Sequence, residues 1–302
     1  KLPGRNMNYF NLKDDATYQR WVESKLSAYQ KRTSADFKLL IDIDSDGHIP
    51  AESLSIIKEQ INDYNFALYK MSESAEDHLS AVKNIGNQVG LKELDKNLCA
   101  QEDRITKLTV VDHQRGHSYI PYSNKAIGWH TDGYYNPLHQ RVLALVLHCE
   151  HSSEQGGVNE LLDPDMVYIH LRDQNPEFIE ALSNPGVMCI PENIEDGVEI
   201  RPQTCTAVFM PEHVAEHDPV LAMRFSKRKH NIIWADDVLT QDALTCLFEY
   251  LESDSLYHVK YRLNSGEGVI CNNVLHTRSA FTDSAENKRV YYRARYYNRI
   301  KI

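Results

Sequence analysis

The sequence predicts one domain with a mainly β core and helices packed outside it. Three observations carry that expectation. Apolar, strand-like runs recur through to the end of the chain: "RVLALVLHCE" (141–150), "VICNNVLH" (269–276) and "RVYYRARYY" (289–297). Helical spacing of apolar residues is confined to separate stretches between such runs. No internal repeat, low-complexity tract or interdomain linker divides the 302 residues, so a single layered core is the economical arrangement.

The elements follow in order. Residues 15–31 set Tyr18, Trp21, Val22, Leu26 and Tyr29 at helical spacing, inside an N-terminal helical extension over 1–36. "FKLLIDID" (37–44) reads as a strand and "DSDGHIP" as a turn. Pro50 suits the first turn of a helix, which Leu54, Ile57, Ile61 and Tyr64 continue as an apolar stripe. "FALYKM" (66–71) is the next strand, a helix is expected over 74–86, and "RITKLTVV" (104–111) is a further strand. After the run at 141–150, "SSEQGGVNELLDP" reads as a turn and a short extended piece. Helices are expected over 165–172 and 176–183, the second with Asn175 as cap and Pro176 at its first position. Residues 184–236 scatter Pro185, Pro191, Pro202, Pro211 and Pro219 among short extended runs. They read as an irregular β-rich insertion. A helix over 238–252 and a strand at 257–263 precede the two closing runs.

Composition narrows the function. Hydrophobic residues at 42% and charged residues at 25% are an ordinary globular balance. A net charge of −10 argues against nucleic acid as partner, because phosphate binding needs clustered positive charge. No apolar run is long enough to span a bilayer, and "KLPGRNMNYF" holds no secretory segment. The start at Lys1 leaves open what precedes it. The six cysteines make no C-x-x-C pair, so they read as buried reduced thiols and the expected location is the cytoplasm. A small molecule is the expected partner, with room for a homo-oligomer.

Three stretches offer metal ligands. "DIDSDG" (42–47) opens like a calcium loop with Gly47 at its sixth position, but its twelfth is Ser53, where a bidentate glutamate is needed. A polar strand-to-helix turn is the better reading. "HVAEH" (213–217) fits the H-x-x-E-H pattern of inverted zinc peptidases. Pro211 and Pro219 bracket it, leaving barely two helical turns. The third is "IGWHTDGYYNP" (127–137), where His130 and Asp132, alternate residues of a strand, would face one ion. His276 closes a distant apolar strand, and thirteen residues later the last strand sets Arg289, Tyr291, Arg293 and Arg295 on one face. Alone, that arginine face would read as a solvated edge strand; with His130 and Asp132, an arginine near a metal suggests a carboxylate ligand held at both ends.

"WHTDGYY", then "EQGGVN", "NNVLHTRSAF" and a terminal "KRVYYR" resemble the taurine dioxygenase/clavaminate synthase-like branch of the Fe(II)- and 2-oxoglutarate-dependent oxygenases. The likeness runs from roughly residue 37 to 297. It implies a distorted double-stranded β-helix, a jelly-roll barrel with helices outside, and a segment over 184–236 covering the active site. It implies His130, Asp132 and His276 as iron ligands. It implies Arg289 for the distal carboxylate of 2-oxoglutarate and Arg293 near it. Asn159 stands where the family usually has a threonine or serine touching that carboxylate. Two imidazoles and one carboxylate form the facial triad of non-haem iron oxygenases, leaving three positions open for the 2-oxo acid and O2. The implied reaction is hydroxylation of a C–H bond, or desaturation, with release of succinate and CO2. Asp132 argues against halogenation, since related halogenases have a small residue there.

Tyr119, Tyr134, Tyr135 and Arg278 are the candidate substrate contacts, with Trp129, Arg115 and His117 nearby. The surplus of basic groups favours a small polar substrate of anionic or amino-acid-like kind. Two other readings stay open: a zinc metallopeptidase using 213–217, and a catalytically silent barrel that binds a ligand or a protein.

Overall fold

The computed structural model describes residues 8–95, 104–110, 120–213, 219–228 and 230–301. Helix α1 (Asp15–Lys31) starts where the Asp14 carboxylate accepts from the Thr17 N–H. Its Tyr18, Val22, Ala28 and Tyr29 are buried in the main core. Its Lys25 is buried too, ion-paired with Asp163 at 2.6 Å and Asp165 at 2.9 Å. Strand β1 (Leu40–Ile43), helix α2 (Ala51–Tyr64) and strand β2 (Phe66–Met71) form a strand–helix–strand unit whose strands pair in parallel. The "DSDG" stretch (44–47) between β1 and α2 is a turn in which the Gly47 N–H donates to the Asp44 carbonyl, and Ser53 Oγ of α2 donates back to the Asp42 carbonyl of β1. That agrees with the strand-to-helix reading.

Helix α3 (His78–Gln88) follows. Then come strands β3 (Thr106–Leu108), β4 (Ile127–His130), β5 (Ala144–His151) and β6 (Asn159–Leu162), and helices α4 (Pro164–Gln174), α5 (Pro176–Leu182) and α6 (Val238–Glu252). Strands β7 (Val259–Tyr261), β8 (Glu267–Cys271), β9 (Leu275–Arg278) and β10 (Val290–Tyr296) complete the two main sheets. A six-stranded sheet runs β1-β2-β8-β5-β10-β3, and a four-stranded sheet runs β7-β6-β9-β4. Apart from β1–β2, the pairs in both sheets are antiparallel.

Successive strand residues point to opposite faces, and β5 uses both. Ala144 and Val146 join Ile57 and Ile61 of α2 and Val82 and Ile85 of α3. Leu145 and Cys149 join Trp129, Leu161 and Leu275 of the smaller sheet. A strand buried on both faces has no polar alternation to show, which is why 141–150 reads as an unbroken apolar run. β10 behaves likewise, with Ala294 and Tyr296 on the helix side and Tyr291 toward the smaller sheet.

Two expectations need correction. The predicted strand at 269–276 is two strands: β8 ends at Cys271 in the larger sheet and β9 begins at Leu275 in the smaller. Asn273, at φ 50°, makes the break. A left-handed residue cannot continue a strand, and asparagine tolerates that conformation. Nor are all the cysteines reduced. Cys189 and Cys205 are joined in a disulfide, because their strands, Met188–Ile190 and Thr204–Thr206, pair antiparallel with these two residues directly opposed. Cys149 and Cys271 are free and buried, and Cys246 is free and half-buried.

The described part of 184–236 is a set of short strands. Met188–Ile190 lies between Thr204–Thr206 and Ile233–Trp234, Asn193–Glu195 pairs with Val198–Arg201, and Phe209–Glu212 with Val220–Met223. Among the described residues no helix is long and apolar enough to cross a membrane.

Candidate metal centre

His130 ends β4 and His276 lies on β9, and the two are directly opposed across the antiparallel pair. Their ring centroids are 4.2 Å apart. Cross-strand neighbours sit ~4.5–5.5 Å apart at Cβ, so the register alone brings the imidazoles together. Asp132 arrives differently from the expectation: the strand stops at His130, and Asp132 turns inward from the loop that follows. Its Oδ1 lies 3.5 Å from His130 Nε2 and 3.7 Å from His276 Nε2. One ligand atom from each of the three falls within 4.8 Å of the others, and among the described residues they are the one such group.

Both imidazoles are oriented by the same device. His130 Nδ1 lies 2.9 Å from the Gly128 carbonyl and His276 Nδ1 lies 2.9 Å from the Val274 carbonyl. A carbonyl only accepts, so each Nδ1 carries the proton and each Nε2 presents a lone pair to the shared centre. Burial, together with the neighbouring His130, pushes the His276 imidazolium down to about 4. Burial alone would push the Asp132 carboxyl up. The Arg293 charge and the His130 contact outweigh it and hold the group well below the usual carboxylate range. The His276 imidazole and the Asp132 carboxylate are thus ready as ligands at neutral pH, and His130 turns its Nε2 to the same point. Arg293 Nη1 lies 3.2 Å from each carboxylate oxygen, hydrogen-bonded to Oδ1. Asp132 Oδ2 is buried without a hydrogen-bond partner. The carboxylate sets Oδ1 beside the two imidazole Nε2 atoms, and two nitrogens with one carboxylate oxygen, its second oxygen buried and unsatisfied, fit a divalent cation.

The loop carrying Asp132 is held from two sides. The Asp132 N–H donates to Asn273 Oδ1 at 2.8 Å, and Asn273 Nδ2 donates to the carbonyls of Asp132 at 2.9 Å and Val142 at 2.7 Å. Gly133 turns away at φ 64°, where a Cβ would fall 2.5 Å from Val142 Cγ2. On the other side, residues 225–227 run beside β4. Thr131 N–H donates to the Phe225 carbonyl, Lys227 N–H donates to the Trp129 carbonyl, and Ser226 bridges to His130.

The arginines separate into distinct jobs. Arg295 pairs with the buried Asp95 and donates to Tyr135 Oη at 3.0 Å. Arg289 is buried over the Tyr291 ring, its guanidinium carbon 3.6 Å from the centroid. Its Nε has no hydrogen-bond partner among the described residues. Asn159 is likewise buried with an unpartnered Nδ2, opposite Arg278 in the β6–β9 pairing. Arg278 and Arg289 both lie against the Phe281 ring, at 4.9 and 5.1 Å. Arg278 itself donates to the carbonyls of Pro121, Ser123 and Lys125. Its described contacts therefore hold the 121–125 loop.

Tyr134 is buried, its hydroxyl accepting from Arg228 Nη1 at 3.1 Å and its carbonyl from Arg224 at 2.7 Å. It meets Tyr135 edge-on. Trp129 is core, packed against His258. Tyr119, Arg115, His117, Glu216 and His217 lie outside the described residues, and His213 is not part of the metal-binding group. Sequence reasoning missed Asn273 and Arg228. Paired asparagines inside an apolar run were the available signal for the first; an arginine in "RFSKRKH" carried none for the second.

A family model described as "Taurine catabolism dioxygenase TauD, TfdA family" matches residues 33–295. A uridine-5'-phosphate dioxygenase of Streptomyces sp is 22% identical over 249 residues, covering 80% of this chain and 88% of the relative. An asparagine oxygenase solved with Fe(II), 2S,3S-3-hydroxyasparagine and succinate is similar in fold, with a TM-score of 0.56 and 13% identity over 92% of this chain and 91% of that one. The non-heme iron oxygenase OrfP, solved with Fe and alpha-ketoglutaric acid, has a TM-score of 0.58 and 13% identity over 91% and 90% of the two chains.

Proposed function

The chain belongs to the TauD/TfdA dioxygenase family, and from that premise we propose an Fe(II)- and 2-oxoglutarate-dependent enzyme that hydroxylates a C–H bond of a small polar molecule. The observation that carries the reading is the convergence of His130, Asp132 and His276 with their ligand atoms within 4.8 Å of one another. These three would hold the iron and leave three coordination positions open. Bound iron, with the 2-oxo acid and O2, supplies the oxidation of the C–H bond and the loss of succinate and CO2.

The protein's part is to bind, orient and exclude water. Arg289, with no carboxylate in ion-pair reach among the described residues and an unpartnered Nε, would grip the distal carboxylate of 2-oxoglutarate. Asn159, with its buried unpartnered amide, would donate to the same anion. Arg293 keeps Asp132 ionised, beside that carboxylate on the same strand. We read the two sheets as the halves of a distorted double-stranded β-helix, with the 184–236 insertion over its mouth.

The substrate is anionic or amino-acid-like in this reading. Arg228 reaches Tyr134 from the insertion, two residues beyond the Ser226 bridge to His130. Its neighbour Lys227 is paired with Glu252, whereas Arg228 forms no ion pair among the described residues. The names of the relatives point to an anion in one case and an amino acid in another: uridine-5'-phosphate and hydroxyasparagine.

The test is anaerobic addition of Fe(II) and 2-oxoglutarate, watching for a weak visible charge-transfer band, then substrate-stimulated succinate release across paired neutral and anionic compounds. Alanine at 130, 132 or 276 is expected to abolish both signals with the fold retained. Succinate formation surviving any one of these changes removes that residue from the iron. A protein that binds metal without any turnover supports the silent-barrel alternative.

A further inference from the structure

We propose that Asn273 is a positioning residue that locks the Asp132 loop to the strand bearing His276, so that the metal centre is preformed before the ion arrives. The inference rests on the metal-binding reading above. Asn273 is buried and sits three residues before His276, at the point where the chain leaves β8 for β9. Its amide makes three hydrogen bonds of 2.7–2.9 Å: it accepts from the Asp132 N–H and donates to the Asp132 and Val142 carbonyls. Both backbone polar groups of Asp132 are thus satisfied by one side chain.

The geometry matters because Asp132 lies outside any strand. His130 and His276 are set against each other by sheet register. The carboxylate has no such support and depends on its loop. Asn273 supplies a substitute for the missing strand pairing, and it does so from the segment that carries the opposite ligand. Only a side chain with one acceptor and two donors meets these three partners. The residue must also tolerate φ 50°, which asparagine does. The adjacent Asn272 is engaged elsewhere, with Asn65 and Ile300.

The test compares Asn273→Asp with wild type and with Asn272→Asp in the metal-free full chain. The Asn273 change keeps shape and backbone tolerance but replaces both donated bonds by carbonyl–carboxylate repulsion. Cobalt(II) is titrated anaerobically and followed by its visible d–d absorption. Cobalt affinity is expected to fall about 10- to 100-fold in Asn273→Asp, with an altered band pattern, and to stay at the wild-type value in Asn272→Asp. Wild-type affinity and spectrum in a folded Asn273→Asp overturn the proposal. A wild-type protein that takes up no cobalt overturns the metal reading, and this inference falls with it. Amide hydrogen exchange in the metal-free wild type checks the lock without a variant. The Asp132 N–H is expected to be protected like a strand amide, and rapid exchange there overturns the proposal.

Discussion

A buried guanidinium costs free energy unless an anion meets it, and among the described residues no carboxylate comes within ion-pair reach of the Arg289 guanidinium; Asp283 accepts from the Arg289 backbone N–H instead. It is desolvated, lies over Tyr291, and leaves Nε without a partner. Arg293, four residues on, already has its anion in Asp132. The two arginines therefore predict different variants. Arg289→Ala is expected to raise the 2-oxoglutarate KM roughly 10- to 100-fold, the equivalent of one charge-assisted hydrogen bond. The maximal rate should change little, because the contact is present before and during the reaction. Arg293→Ala should instead weaken metal binding. An Arg289→Ala enzyme with an unchanged KM would move the carboxylate grip elsewhere.

Between elements, the polar seam joining α3, β5 and β2 sets a pH dependence. His148 of β5 is fully buried, bonded to Tyr69 of β2 at 2.9 Å and to His78 of α3 at 2.8 Å. Burial, then the neighbouring His78, pushes its imidazolium from 6.5 down to about 3. A histidine that charges only with difficulty when folded favours folding above its ordinary value. Below it, the unfolded chain takes up a proton that the native state refuses, so stability falls as pH drops from about 6.5 toward 3. The loss from this one group is about 2 kcal/mol between pH 7.5 and 5. Urea unfolding of His148→Gln is expected to show a flatter decline by that amount, from a lower starting stability. Parallel pH profiles would place the titration in other groups.

At the scale of the whole molecule, the site belongs to neither sheet alone. The smaller sheet contributes His130 and His276, and the larger contributes Arg293 of β10, with Arg289 at the residue just before that strand. The main apolar core takes in Tyr18, Val22 and Tyr29 of α1 together with Leu161 and Leu275 of the smaller sheet, so α1 is built into the core that supports the site. Each such side chain contributes ~1.5–3 kcal/mol by burial, against a total stability of roughly 5–15 kcal/mol for a domain. Removing residues 1–36 would also leave Asp163 buried without Lys25. The expected result is loss of the cooperative thermal transition, read by circular dichroism. A truncated chain that melts with the full-length one would reduce the segment to an appendage.

The amino-acid order by itself determined most of the succession of helices and strands and named the three candidate ligands. Apolar periodicity and ligand chemistry are local properties that a sequence displays. What only the tertiary structure decided are events of pairing. The run at 269–276 looks continuous, because its hydrophobicity does not record that Asn273 turns left-handed and sends the two halves to different sheets. Cys189 and Cys205 look like independent thiols until two strands set them opposite each other. His130 and Asp132 were expected on one strand face, yet the carboxylate reaches the centre from a turn held by an amide 141 residues away. Register and long-range hydrogen bonds depend on which segments meet, and that is settled by the packing of the whole chain.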